Sequence, residues 1–149
     1  MRAVVQRVSR ASVRVGDRLT GEIGAGLLVF AGVGIDDEPA DADWLGGKVC
    51  ALRIFRDDAG LMNRSVVEAG GAVLLVSQFT LHGDARKGRR PSFVRAAKEP
   101  QARSLFERLG EAIAAHGLPL AFGEFGAEME VALVNAGPVT VLLDSKREF

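Results

Sequence analysis

The chain is poor in the residues that most often build metal and redox sites. Cys50 is the only cysteine in 149 residues, so no intramolecular disulfide can form and no thiolate cluster can hold zinc. It falls in a helix-like stretch and reads as a small buried hydrophobe rather than a nucleophile. Histidine is scarce too. His82 and His116 lie far apart, and no acid–histidine–nucleophile arrangement is spelled out around either. His116, read as the last turn of a helix, suits the helix dipole better than catalysis. An excess of one charge is also missing: Lys plus Arg and Asp plus Glu number 19 each. No global field therefore draws the chain to nucleic acid or membrane, and any such partner must be met by a local patch. No apolar run approaches the ~20 residues of a membrane helix. The stretch from Met1 to Arg7 lacks the apolar core and cleavage site of a signal peptide. A soluble, cytoplasmic protein is the expectation. No repeat, low-complexity stretch or linker interrupts the chain, and its length suits one domain, residues 1–149.

What is present reads as a β-rich α/β pattern. From Met1 to Val15 apolar and polar residues roughly alternate, a half-buried strand. Gly16-Asp17 is a hairpin signal, Leu19 to Ile23 the returning strand, and Leu27 to Ala31 a central strand. The glycines at 24, 26, 32 and 34 match neither the dinucleotide fingerprint nor the P-loop. Asp36-Asp37-Glu38-Pro39 starts a helix carrying Leu45, Val49 and Leu52. Gly46-Gly47 weakens that helix by roughly 1 kcal/mol per Gly relative to Ala, and a close packing contact would account for them. Arg53 to Arg56 is short and strand-like, and Asp57 to Gly60 is a turn. Glu99-Pro100 opens the clearest helix, with Ala102, Leu105, Phe106, Leu109 and Ile113 on one face, ended by Gly117 and Pro119. Leu120 to Phe125 reads as one strand-like run and Glu128 to Val134 alternates. Asn135 to Thr140 is a turn by the ordinary reading, before Val141-Leu142-Leu143. Against that, Pro138 cannot donate in a ladder and Gly137 permits unusual torsions, a combination able to hold carbonyls out toward a ligand.

Two stretches carry candidate chemistry. Val73 to Val76 is a continuous apolar run, the mark of a strand buried on both faces. It breaks into Ser77, Gln78 and Thr80, whose polar side chains need partners at a strand end. Either a local turn satisfies them or a ligand does. Directly after comes a loop with four cations, Arg86, Lys87, Arg89 and Arg90, against the single acid Asp84. In a chain without net charge, that asymmetry suits phosphate groups.

Ser77-Gln78-Phe79-Thr80 and Asn135-Ala136-Gly137-Pro138-Val139-Thr140 together resemble the D-aminoacyl-tRNA deacylase family, also called D-tyrosyl-tRNA deacylase. The opening, Gln6-Arg7-Val8 through Ala11-Ser12-Val13, and the overall length share the resemblance, which spans essentially the whole chain. It implies a β-rich single α/β domain, mainly antiparallel sheets packed in layers with two main helices, in a homodimer. It implies hydrolysis of the ester joining a D-amino acid to the 3′ end of tRNA, and of glycyl-tRNA mischarged on tRNA-Ala, with L-aminoacyl groups rejected. Ser77, Gln78, Phe79 and Thr80 would floor the pocket. Ala136, Gly137 and Pro138, with a cis Gly137–Pro138 bond, would enter the pocket of the other subunit, braced by Arg7. Phe125 and Met129 would hold the adenine. No cofactor, metal or membrane is implied. Thr80 is a candidate nucleophile without an adjacent base, and the substrate's 2′-hydroxyl is the preferred alternative. Backbone N–H groups around Phe79 and Thr80 are the candidate oxyanion donors. Two other classes stay open: a noncatalytic RNA-binding module, and a small-molecule esterase or amidase indifferent to Arg86, Lys87, Arg89 and Arg90.

Overall fold

The computed structural model describes all of residues 1–149. Its elements run β1 (Arg2–Val15), β2 (Arg18–Ile23), β3 (Gly26–Gly32), α1 (Pro39–Ala51), β4 (Phe55–Arg56), β5 (Met62–Arg64), β6 (Ala72–Ser77), a 3-10 turn (Phe79–His82), α2 (Gln101–Ala114), β7 (Leu120–Phe122) and β8 (Glu130–Asp144). β1 is the axis. Its first half pairs with β3 and its second half with β2, while β8 lies along its other edge, all antiparallel. Gly16 takes φ 55°, the left-handed torsion needed by the tight turn into β2.

The main sheet runs β2-β1-β3-β6-β7, with β8 against β1. It comes close to closing as a barrel. Gly21 on β2 leaves no room for a Cβ against the Phe122 carbonyl of β7, and an Arg18–Glu124 ion pair spans the same gap. The expected predominance of antiparallel pairing needs one qualification, because β3, β6 and β7 are mutually parallel. Parallel neighbours require a crossover, and α1 and α2 lie in the two crossovers.

Side chains on β3 and β6 alternate between two cores. Leu27, Val29, Val73 and Leu75 face the helices, whereas Leu28, Leu74 and Val76 face the barrel interior with Val8, Val13 and Ile23. β6 is thus buried on both faces, as its unbroken apolar run predicts. On α2 the apolar face of Leu105, Phe106, Leu109 and Ile113 is buried. α1 crosses it at Gly46, where a Cβ would lie 2.6 Å from that of Ala112. Cys50 is 2% exposed, and burial pushes its thiol up to about 11. No helix is long and apolar enough to cross a membrane.

Three sequence expectations are corrected. The run Leu120 to Phe125 is a strand only to Phe122. Gly123 follows, packed close beside Met129 Sδ, and a turn closed by Ala127 N–H on the Glu124 carbonyl carries Phe125 inward. Asn135 to Thr140 is not a chain reversal: β8 continues through it as one strand. While β1 advances from Gln6 to Val8, β8 runs back from Thr140 to Asn135, so the extra residues bulge outward. His116 lies beyond the last turn of α2, exposed, its N–H bonded to the Ile113 carbonyl.

Candidate functional site

The parallel strands end together, and a cavity opens where they end. Ser77 is the last residue of β6, opposite Ala31, and the Gln78 N–H donates to the Ala31 carbonyl at 2.8 Å. The chain then leaves the sheet in the 3-10 turn. A cavity of about 490 Å³ lies at this edge, between the carboxyl ends of β3 and β6, the start of α2 and the loop after β7. Crevices at the carboxyl ends of parallel strands are the usual ligand sites of open α/β sheets. Eleven of its sixteen lining residues are hydrophobic, so a few polar groups must orient whatever binds. Ser77, Gln78, Phe79, Phe125 and Met129 line it together.

Thr80 is not among the lining residues; it sits exposed at the rim. Its hydroxyl accepts a hydrogen bond from Gln78 Nε2 at 2.5 Å, and no ionisable side chain bonds to it. The N–H groups of Leu81 and Gly83 donate to the Gln78 and Thr80 carbonyls. A helical turn leaves its first N–H groups, here those of Phe79 and Thr80, without partners inside the turn. His82 is buried behind the turn. Burial pushes its pKa down, and Nε2 has no hydrogen-bond partner. Phe79, 57% exposed, meets Phe93 edge-on at 5.2 Å, which ties the following loop to the cavity rim.

In that loop Asp84 and Ser92 exchange backbone hydrogen bonds and close a neck. Arg86 is clamped on Asp84 by a fork, Nε to Oδ1 at 2.9 Å and Nη2 to Oδ2 at 2.6 Å, which holds the Asp84 carboxyl well below the usual range. Lys87, Arg89 and Arg90 are exposed and make no ion pair. Three of the four cations expected to face phosphate are therefore free, and one is already paired.

The Gly137–Pro138 bulge lies elsewhere. Its peptide bond is cis, Gly137 has φ 142°, and both residues are exposed. Arg7 Nε donates to the Ala136 carbonyl at 2.9 Å and Nη1 to the Ile54 carbonyl at 2.5 Å. Asn135 stiffens the bulge from within, its Oδ1 accepting the Val139 N–H at 2.8 Å. Arg7 sits opposite Leu27 on β3, whereas the cavity begins at Ala31. Four residues of strand, roughly 13 Å, separate the two levels. One chain does not bring its own bulge to its own cavity.

Several lining residues escape a sequence reading. Ala31, Val33 and Phe106 look like core, and Ala97, Lys98 and Glu99 look like a helix approach; only the strand order brings them to one opening. Arg103 lies 4.6 Å over the Phe125 ring, a contact that i,i+4 patterning on α2 does not announce. No group of three or more His, Cys, Asp or Glu residues gathers in metal-binding geometry.

A family model described as D-Tyr-tRNA(Tyr) deacylase matches residues 4–144. A D-aminoacyl-tRNA deacylase of Symbiobacterium thermophilum is 56% identical over 149 residues, 100% of this chain and 99% of that protein. One from Koribacter versatilis is 58% identical, with both chains covered in full. Among solved structures, the c-Myc DNA Unwinding Element Binding Protein superposes with TM-score 0.90 at 37% identity, over 97% of this chain and 98% of that one. A probable eukaryotic D-amino acid tRNA deacylase gives TM-score 0.79 at 18% identity, over 95% and 97%, and shares the fold.

Proposed function

The chain belongs to the D-aminoacyl-tRNA deacylase family of hydrolases, and from that premise we propose that its cavity receives the 3′-terminal adenosine of aminoacyl-tRNA, as part of a homodimer in the cytoplasm. The observation that carries this reading is the largely apolar cavity at the carboxyl ends of β3 and β6, floored by Ser77, Gln78 and Phe79. Adenine rests against Phe125 and Met129, with the ester carbonyl at the 3-10 turn. Water adds to the carbonyl carbon, and the N–H groups of Phe79 and Thr80 receive the oxyanion. The intermediate then releases the 3′ oxygen, which leaves with a proton, and the free amino acid departs.

Thr80 has no base to activate it, since its hydroxyl accepts from Gln78 and nothing ionisable reaches it. Glu99, the one carboxylate on the cavity, is engaged by Arg103 at 3.0 Å. The terminal ribose 2′-hydroxyl therefore positions the attacking water. Chirality is read by rejection: Gly137–Pro138 of a second copy enters the cavity, and an L-side chain meets its backbone while a D-side chain or the hydrogen of glycine does not. Glycyl-tRNA mischarged on tRNA-Ala is accordingly a substrate. The exposed, braced bulge supports this, as do the exposed Val134 and Leu142 of β8, 40% and 60% accessible, on an uncovered strand.

The test is release of labelled amino acid from matched D-, L- and glycyl-tRNA. Release from the D and glycyl forms with the L form retained is expected. Equal D and L rates overturn the rejection mechanism, and no release overturns the assignment of the reaction. Thr80→Ala is expected to lose less rate than a 2′-deoxy terminal adenosine, and an acyl-Thr80 adduct seen by mass spectrometry reverses that step. A binding-only reading has one observation in its favour, the DNA-binding name of the 37% identical protein. Retention of deacylated tRNA without turnover would select it.

A further inference from the structure

The cavity is nearly free of charge, and its two charged side chains are not equivalent. Lys98 and Glu99 are the only ionised residues among those lining it. The Glu99 carboxylate is met by Arg103 at 3.0 Å, and that guanidinium is in turn seated over Phe125. Lys98 has no such partner: its Nζ makes no ion pair and no hydrogen bond, and the side chain is exposed at the opening. The backbone beneath it is fixed. The Ala97 N–H donates to the Val33 carbonyl at 2.9 Å, and the Lys98 carbonyl accepts the Ala102 N–H at 3.0 Å. An unneutralised cation thus stands on a rigid base at the opening of an otherwise neutral site.

Building on the adenosine-site reading above, we propose that Lys98 binds the phosphate attached to the 5′ oxygen of the substrate's terminal adenosine. A nucleoside held with its base against Phe125 and its ester at the 3-10 turn has one remaining exit, the 5′ carbon, and the first group beyond it is a phosphodiester. Lys98 is the charge available to meet that anion. Glu99 does not oppose it, because Arg103 neutralises the carboxylate. The contact is distinct from the loop cations Lys87, Arg89 and Arg90, which are not among the residues lining the cavity. It gives the site a preference for a nucleotide over a nucleoside, before any tRNA body is involved.

Two minimal substrates test this: 3′-O-D-aminoacyl-adenosine with and without a 5′-phosphate. For the wild-type protein, the phosphate is expected to raise kcat/KM about three- to tenfold, mostly through KM, and the gain should shrink with added salt. Lys98→Met should abolish the gain, read as the ratio of kcat/KM for the phosphorylated and unphosphorylated esters within that one variant. Lys98→Arg should retain it, and Lys48→Met, a charge removed from exposed α1 surface, should leave it unchanged. An equal phosphate gain in Lys98→Met, or loss of the gain in Lys48→Met, overturns the assignment to Lys98. So does a wild type indifferent to the phosphate. Failure of the wild type to hydrolyse either ester, with D-aminoacyl-tRNA also untouched, instead overturns the adenosine-site reading on which the proposal stands.

Discussion

Arg7→Lys keeps the charge at position 7 and removes the planar fork. The guanidinium spans two carbonyls, Ala136 on the bulge and Ile54 at the end of the α1 connection, at 2.9 and 2.5 Å. It also packs directly against Gly137, where a Cβ would come within 2.9 Å of Nη2. A lysine ammonium reaches one of the two carbonyls but not both. A hydrogen bond from a charged donor contributes about 1.5–3 kcal/mol, and Ile54 is too buried for water to replace it freely. Losing one such bond therefore costs about 2 kcal/mol, a factor of roughly thirty between the held and released bulge.

The two substrates feel that factor differently. On the rejection mechanism proposed above, exclusion of an L-side chain depends on the bulge being held, so the L rate is proportional to the released fraction and should rise about thirtyfold. On the same proposal a D-side chain points away from the bulge, so the D rate should stay within about twofold. Urea unfolding should show the same 2 kcal/mol at unchanged m-value. The decisive comparison is the L-to-D ratio against stability in one variant. A protein that loses the 2 kcal/mol but rejects L-aminoacyl-tRNA as well as before would show that Arg7 braces the fold and not the selectivity.

Gly46→Ala should destabilise by about 1–3 kcal/mol despite its better helix propensity, because the new methyl meets Ala112 at 2.6 Å. Gly47→Ala, with nothing within 4 Å of its Cβ, should stabilise by up to about 1 kcal/mol; equal effects in urea melts would refute the contact. Combined replacement of Lys87, Arg89 and Arg90 by Ala should reduce the salt slope of tRNA binding by about 2, whereas Arg86→Ala should barely move it; a slope change carried by Arg86 would contradict the Asp84 clamp. Asp41 is 7% exposed; despite that burial, which opposes ionisation, bonds from Lys146 and the Glu38 N–H hold it down at about 2. Its folded pKa lies below the ordinary 3.8, so its contribution of about 1–2 kcal/mol is complete above that value and lost as pH falls through about 2. Asp41→Asn should therefore flatten stability against pH between 5 and 2, and an unchanged acid limb would remove the pair from the stability account.

The elements that depend on local rules could be read from the residues alone. α2 follows from Leu105, Phe106, Leu109 and Ile113 on one face, and α1 from acidic residues ahead of Pro39. Burial of β6 on both faces follows from four consecutive apolar residues, and a close helix contact follows from the glycines of α1, of which Gly46 makes it. Each is a periodicity or a steric demand that needs no knowledge of distant partners. What was hidden is set by strand order. Ala31, Val33, Ala97 and Phe106 are indistinguishable from core until β3, β6 and β7 are placed parallel, because only then do their carboxyl ends face one opening.

The bulge in β8 shows why such limits are physical. Glycine followed by proline between apolar stretches has the composition of a turn, since both residues disfavour ladder pairing. The chain does not reverse there because pairing is restored on both sides, Asn135 with Val8 and Thr140 with Gln6, and β1 is long enough to hold both ends. The residues between are satisfied by side chains: Arg7 takes the Ala136 carbonyl, and Asn135 takes the Val139 N–H. A segment that reads as a break is thus carried out of the sheet with its polar groups met from within the molecule. Its exposed backbone is thereby held in one shape, the stiffness that the proposed exclusion of an L-side chain requires and that a flexible reverse turn of the same composition would lack.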